Sequence, residues 1–125
     1  MITRSASVYG VYLDAKGRVL LIQDASSGLW GFPGGRIEER ETRRVALGRE
    51  FLEETGTKIQ GSVTYITQQN DALKQRYFYK IQTVEGQLSR QGNGVDVARG
   101  AYFAVTKLPV DNLAPGVENI IKRIH

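Results

Sequence analysis

The sequence predicts an α+β fold in which helices are layered against a sheet that is not purely parallel. Three observations carry this. Strand-like segments rich in β-branched and aromatic residues recur along the chain, separated by turn residues. One helix-period segment, 42–55, interrupts them, and a second amphipathic helix, 115–124, follows the last. The first two strand-like segments lie four residues apart, the spacing of a hairpin, which a purely parallel sheet would not contain.

Ser5 to Leu13 reads as the first strand. Asp14-Ala15-Lys16-Gly17 supplies turn chemistry, and Arg18 to Gln23 reads as the strand that completes the hairpin. Asp24 to Gly35 is loop-like, punctuated by Ser26-Ser27-Gly28 and Pro33-Gly34-Gly35. Thr42 suits an N-cap and Gly56 the residue just past a helix end, so the helix is expected over Thr42 to Thr55. Ser62 to Gln68 and Arg76 to Val84 read as strands, with Glu85-Gly86 as a turn. Arg90 to Gly100 holds three glycines and an asparagine and is expected to be a mobile loop, before a short strand from Ala101 to Val105. In the final helix Val117, Ile120, Ile121 and Ile124 share a face. Pro115 suits the first turn, and Lys122 and Arg123 suit the negative end.

A length of 125 residues predicts one domain, 1–125, with one core. The apolar fraction of 41% and charged fraction of 24% are those of a soluble globular protein. No apolar stretch nears the roughly 20 residues that span a bilayer. Met1 to Ser7 lacks the apolar core of a signal peptide. The absence of cysteine excludes disulfides, thiolate metal sites and cysteine nucleophiles, and fits the cytoplasm. The net charge of +4 suits a phosphate-bearing ligand, and equally serves solubility alone. No block of like charges marks a nucleic-acid tail.

On a helical wheel at about 100° per residue, Val45, Leu47, Gly48, Phe51 and Leu52 fall on one half. Glu50, Glu53 and Glu54 fall together on the other, with Arg49 at the border. Carboxylates one, three and four residues apart can converge on a cation. Their mutual repulsion, roughly 0.2–0.5 kcal/mol per pair, then changes sign. Mg²⁺ or Mn²⁺ prefers such oxygen ligands. Taken alone, the three glutamates read as a solvated face paired with nearby lysines and arginines sooner than as a metal site.

The whole segment is more specific. Gly35, Glu41, Arg49, Glu50, Glu53, Glu54 and Gly56 fill every fixed position of G-x5-E-x7-R-E-x2-E-E-x-G, and in this the chain resembles the Nudix hydrolases. Trp30-Gly31-Phe32-Pro33-Gly34-Gly35 is similar to the family's W-x-x-P-G-G lead-in, and Glu38 stands where many members have glutamate. The resemblance implies a small MutT-like domain, an α/β/α sandwich with a mixed sheet between helices on opposite faces. It implies Glu50, Glu53 and Glu54 as metal ligands, joined by the main-chain carbonyl of Gly35. Arg49 and Glu41 would form the ion pair that orients the helix. Either Glu50 or Glu53 would act on the attacking water. The implied reaction is Mg²⁺-dependent hydrolysis of a nucleoside diphosphate linked to a further moiety, with Mn²⁺ able to substitute.

The chain departs from the pattern at two places. Arg40 stands where glycine often precedes the glutamate, which suggests a different loop path, a cation facing substrate phosphate, or a tolerated exposed arginine. Thr57 stands where an aliphatic residue is usual, with Ile59 able to supply the burial. Gly48 inside the helix costs about 1 kcal/mol against alanine, and close packing on the sheet would explain it.

Substrate contacts are less legible. Val117 stands where a P-x-N pattern would place a base-reading asparagine, with Asn119 nearby. Tyr77 and Tyr79 share one strand face, Phe78 and Lys80 the other, and one set could stack on a base or belong to the core. Trp30 reads as a ligand contact or as packing beneath the loop. Asp96 reads as an extra metal ligand or base, or as a surface aspartate. His125 is expected to be inert. The expected partner is a free nucleotide-type small molecule, with no membrane partner. The alternatives are an RNA 5′-pyrophosphohydrolase and a non-catalytic nucleotide-binding or regulatory domain.

Overall fold

A computed structural model describes residues 5–124; the extreme N-terminal residues and His125, on which two of the readings above rest, lie outside the described residues. Seven strands and two α-helices follow one another as β1 (Ser5–Tyr12), β2 (Arg18–Asp24), β3 (Trp30–Gly31), β4 (Gly34–Arg36), α1 (Arg43–Thr55), β5 (Lys58–Asn70), β6 (Lys74–Glu85), β7 (Val97–Ala104) and α2 (Val117–Ile124), with a 3₁₀ turn at Val110–Asn112. The strands form two sheets, ordered β4-β1-β6-β5 and β3-β2-β7. The first is mixed: β1 runs parallel to β6 and antiparallel to β4.

The expected β1–β2 hairpin does not form. Only Leu13 and Val19 bridge, and the two strands then diverge into different sheets. Asp14 closes the turn by itself. Its carboxylate accepts from Lys16 N and Arg18 N and binds the Arg18 guanidinium at 2.7 Å. The backbone of β1 is instead taken by β4 and β6. Both strands are buried on both faces, as central strands of a layered structure are.

The alternation of β1, β2 and β6 divides the core into two layers. Val8, Leu20, Tyr77 and Ile81 pack with Ala46, Leu47 and Phe51 of α1. Val11, Val19, Leu21 and Phe78 pack with Val117, Ile120 and Ile121 of α2. The helices therefore lie on opposite faces, in an α/β/α sandwich. Leu20, Leu47 and Phe51 are fully buried, each contributing about 1.5–3 kcal/mol relative to exposure. Other boundaries shift. The loop 24–35 contains β3 and the start of β4, the middle strands are longer than expected, and β7 begins within the expected loop, at Val97. Asn93 organises that loop, its side-chain oxygen accepting from the backbone of Val95, Asp96 and Val97.

Helix α1 is capped as its sequence predicts. Thr42 Oγ1 accepts from Val45 N at 3.1 Å, and Gly56, at φ 75°, donates to Leu52 O. Its buried arc is not the expected one. Val45 and Leu52 are exposed at 57% and 51%, while Ala46, Leu47, Phe51, Glu54 and Thr55 are buried. Glu54 thus turns toward the sheet and Glu53 toward solvent. Thr55 and Thr57 are buried and share a 2.7 Å hydroxyl contact, and Thr55 Oγ1 bonds Phe51 O, so a polar residue is satisfied where an aliphatic one was expected. Ile59 is buried alongside.

Gly48 does not pack on the sheet. A Cβ there would meet only Arg44 Nη1, at 3.0 Å, the end of a flexible side chain. Gly48→Ala is therefore expected to stabilise the protein by about 1 kcal/mol, raising the thermal midpoint by roughly 4 °C. A lowered midpoint in a melting experiment would restore a packing role.

Candidate active site

The signature residues meet where β4 passes the C-terminal half of α1. Arg49 is the hub. Its Nε and Nη2 bind the two Glu41 carboxylate oxygens at 2.8 and 2.9 Å, a bidentate fork. Nη2 also donates to Arg36 O at 3.0 Å, and Glu41 Oε1 accepts from Glu38 N at 2.8 Å. The loop from Arg36 to Glu41 is thereby tied to α1. The guanidinium holds the Glu41 carboxyl at about 2, well below the usual carboxylate range, and Arg49 is raised in turn by Glu41.

Arg40, within this loop, has φ 69° and is the one described non-glycine residue with positive φ. It takes the conformation glycine would supply, so no different loop path is needed. Relief of this strain, about 1–2 kcal/mol for a left-handed residue, is expected in Arg40→Gly, as a higher urea midpoint. A lower midpoint would assign the arginine side chain a structural role.

Glu50 and Glu54 point at the glycines of β4. An ideal Cβ on Gly35 would stand 2.6 Å from Glu50 Cδ, so any side chain there would displace the Glu50 carboxylate from its present place. Gly34 N donates to Glu54 Oε1 at 2.7 Å. Glu54 is only 6% exposed. Burial foremost, and the charges of Glu50, Asp96 and Glu53 after it, push its pKa up to about 8 against the Gly34 bond. Burial also raises Glu50, opposed by Arg49 and assisted by Glu53 and Asp96. Asp96 is thus a fourth carboxylate whose charge acts on both glutamates. Its backbone oxygen accepts from Ala25 N, and its side chain accepts from Asn93 Nδ2 at 2.7 Å.

Glu53 stands apart, its side chain 55% exposed. Arg49 Nη1 lies 3.0 Å from Glu50 and 3.6 Å from Glu53, with a guanidinium between the two carboxylates. Among the described residues, no three acidic or imidazole side chains are drawn together tightly enough to hold a metal ion. The donor set nonetheless suits a hard divalent cation. It is all oxygen, spans adjacent turns of one helix, and includes a buried carboxylate that a cation would stabilise. The helix dipole adds to this. Arg43 and Arg44 stand at the positive end of α1 and Glu53 and Glu54 at the negative end, the reverse of what an isolated helix favours. Arg43 is compensated by the Tyr77 ring at 3.7 Å and the Tyr79 hydroxyl, and Arg44 by Gly61 O. Among the described residues Glu53 has Arg49 at 3.6 Å and Glu54 has no cationic partner.

The remaining candidates divide cleanly. Trp30 is core, 9% exposed and edge-on to Phe103. Tyr77 packs under α1. Phe78 lines a cavity of about 590 Å³ on the α2 side of the sheet, with Tyr9, Phe32, Gln69, Arg76 and Asn119. Asn119 thus lines the cavity, as does Val117, which is buried in the core. Tyr9, Gln69 and Arg76 were not foreseen. The signal that unites them is the strand register, in which Arg76 pairs with both Ser7 and Gln69, and Tyr9 with both Gly34 and Phe78. No single segment contains it.

A family model described as NUDIX domain matches residues 3–124. A MutT-like protein from Streptomyces ambofaciens is 43% identical over 56 residues, 45% of this chain and 36% of that protein. The 8-oxo-dGDP phosphatase NUDT18 of Danio rerio is 28% identical over 117 residues, 91% of this chain and 36% of that protein. The chain thus spans 36% of the length of either relative. The crystal structure of a MutT NUDIX hydrolase from Burkholderia pseudomallei shares the fold at a TM-score of 0.84 and 21% identity, covering 98% of this chain and 99% of that one. With the signature, the sandwich and a family model matching nearly its whole length, the chain belongs to the NUDIX family.

Proposed function

We propose that residues 1–125 form one catalytic domain that hydrolyses a nucleoside diphosphate linked to a further moiety, in a reaction dependent on Mg²⁺, with Mn²⁺ as a substitute. The observation that carries this is the desolvated Glu54 beside Glu50, both turned onto the glycines of β4. A buried carboxylate with a pKa near 8 is costly in a merely structural role and useful as a cation ligand. Glu50, Glu53, Glu54 and the Gly35 carbonyl would hold the metal, which when bound neutralises the diphosphate oxygens and acidifies water. Arg49 and Glu41 are positioning residues. Their fork fixes the loop against α1 and leaves Nη1 to orient Glu50. Glu50 or Glu53 takes the proton of the attacking water, and burial, by raising Glu50, improves it as a base. The cavity beyond Tyr9 receives the nucleoside. The 8-oxo-dGDP phosphatase relative supports a small nucleotide as substrate. No described helix is long and apolar enough to cross a membrane, and the cysteine-free composition supports a cytoplasmic site of action.

The test is release of phosphate and pyrophosphate from nucleoside triphosphates, oxidised nucleotides, nucleotide sugars, ADP-ribose and dinucleoside polyphosphates, with Mg²⁺ or Mn²⁺. Turnover of one class, abolished by chelator, is expected. Folded protein that turns over none of them would favour a nucleotide-binding module instead.

A further inference from the structure

We infer that Arg76, held at the cavity by Asp71, is a specificity-determining residue that selects nucleobases presenting two adjacent hydrogen-bond acceptors. Guanine does so through O6 and N7, and cytosine through N3 and O2. This rests on the hydrolase reading above and names the base class that it leaves open.

Aromatic rings wall the cavity. Tyr9 and Phe78 stack at 5.4 Å with their planes 23° apart, and Phe32 stands edge-on to Phe78. Its volume of about 590 Å³ suits a small ligand. It also adjoins the carboxylates. Tyr9, in its wall, pairs across the strands with Gly34, whose N–H holds Glu54. The cavity wall and the buried carboxylate thus meet at Gly34, on the edge strand β4.

Among the cavity-lining side chains Arg76 is the cation. It offers donors only, in a planar fork. Asp71 fixes that fork. Its Oδ2 takes Nη1 at 2.9 Å, while its Oδ1 accepts from Leu73 N and Lys74 N at 2.9 and 2.8 Å, locking the carboxylate into the β5–β6 turn. One arm of the guanidinium is thus anchored, and among the described residues its other N–H groups make no hydrogen bond, which leaves them for a ligand. Gln69 and Asn119 carry amides that both donate and accept, so neither imposes a sign on the base edge. Arg76 does. A bidentate donor fits guanine O6 and N7 and the N3 and O2 edge of cytosine. Adenine sets an amino donor beside N1 and N7, and uracil sets its N3–H between two carbonyls, so each opposes a donor to a donor.

The test compares kcat/KM for GTP, CTP, ATP and UTP in the wild-type protein, Arg76→Ala, Arg76→Lys and Asp71→Asn. The wild type is expected to favour GTP and CTP. Arg76→Ala should lower kcat/KM for those two by about 5- to 150-fold, the worth of a bidentate arginine–base pair, mainly through KM. ATP and UTP should change little. Lysine keeps the charge without the fork and should not restore the preference, and Asp71→Asn should weaken it in part. Equal losses on all four nucleotides, or an unchanged ranking, would overturn the inference. Calorimetric binding of GMP, CMP, AMP and UMP separates this from the hydrolase reading. A base ranking that Arg76→Ala abolishes, in a protein that hydrolyses nothing, would sustain the inference and remove the reading. Four equal affinities beside normal turnover would do the reverse. Arg76 is partly exposed, so thermal midpoints of the variants should stay near that of the wild type.

Discussion

Glu53→Gln and Glu50→Gln are each expected to lower the rate of nucleotide hydrolysis, the general base by about 10²–10⁴-fold. Glutamine keeps the shape and removes both the charge and the proton acceptor. At position 50 the amide would still fill the space against Gly35 and its oxygen could still accept from Arg49, so the loss is of charge and basicity rather than of shape. At position 53 the side chain is mostly exposed, and folding should be untouched. The signature of a lost base is a fall in kcat with a nearly constant KM, because a proton acceptor acts in the transition state and not in nucleotide binding. Steady-state kinetics on the purified variants read this directly. Full activity in both variants would remove the mechanism.

Glu54→Gln should move stability and metal response in opposite directions. In the metal-free protein the Glu54 pKa rises from the ordinary 4.5 to about 8. Folding therefore favours the protonated form. The stability associated with this group is fully present below about pH 4.5 and is lost as pH rises through 8. Glutamine mimics the protonated carboxyl and keeps the acceptor for Gly34 N. At pH 8.5, in chelator, the variant should therefore be more stable than the wild type by at least about 1 kcal/mol, or roughly 4 °C in midpoint. At pH 5 the two should converge. Added Mg²⁺ should raise the wild-type midpoint at pH 8.5, by linkage to the folded state, and raise that of the variant less. Equal melting of both proteins at all pH values would mean that Glu54 is already neutralised by another partner.

The parts legible in the sequence are those set by local chemistry. Thr42 and Gly56 delimit α1 because capping is a matter of one residue and its neighbours. The apolar face of α2 is read from spacing alone and is the buried one. The Arg49–Glu41 pair and the approach of Glu50 to Gly35 are legible because the signature runs through one continuous segment. What failed was non-local. Asp14 carries good turn chemistry, yet it bends the chain between two sheets, because β6, some 60 residues later, takes the backbone of β1. Binary patterning placed Val45 and Leu52 inside and the glutamates outside. Tertiary context reverses this for Glu54, whose burial is the violation of pattern expected at a functional site. The cavity of Tyr9, Arg76 and Asn119 draws on three separate elements and could not be read from any one of them.

Calorimetric titration of Mn²⁺ into chelator-treated protein at pH 8, beside Glu50→Gln and Glu54→Gln, tests the carboxylate metal site most directly. Saturable binding by the wild type is expected, weakened at least about tenfold by each substitution, in line with the 1.4 kcal/mol or more that a lost charged ligand removes. Unchanged affinity in both folded variants, or no binding by the wild type, would contradict it.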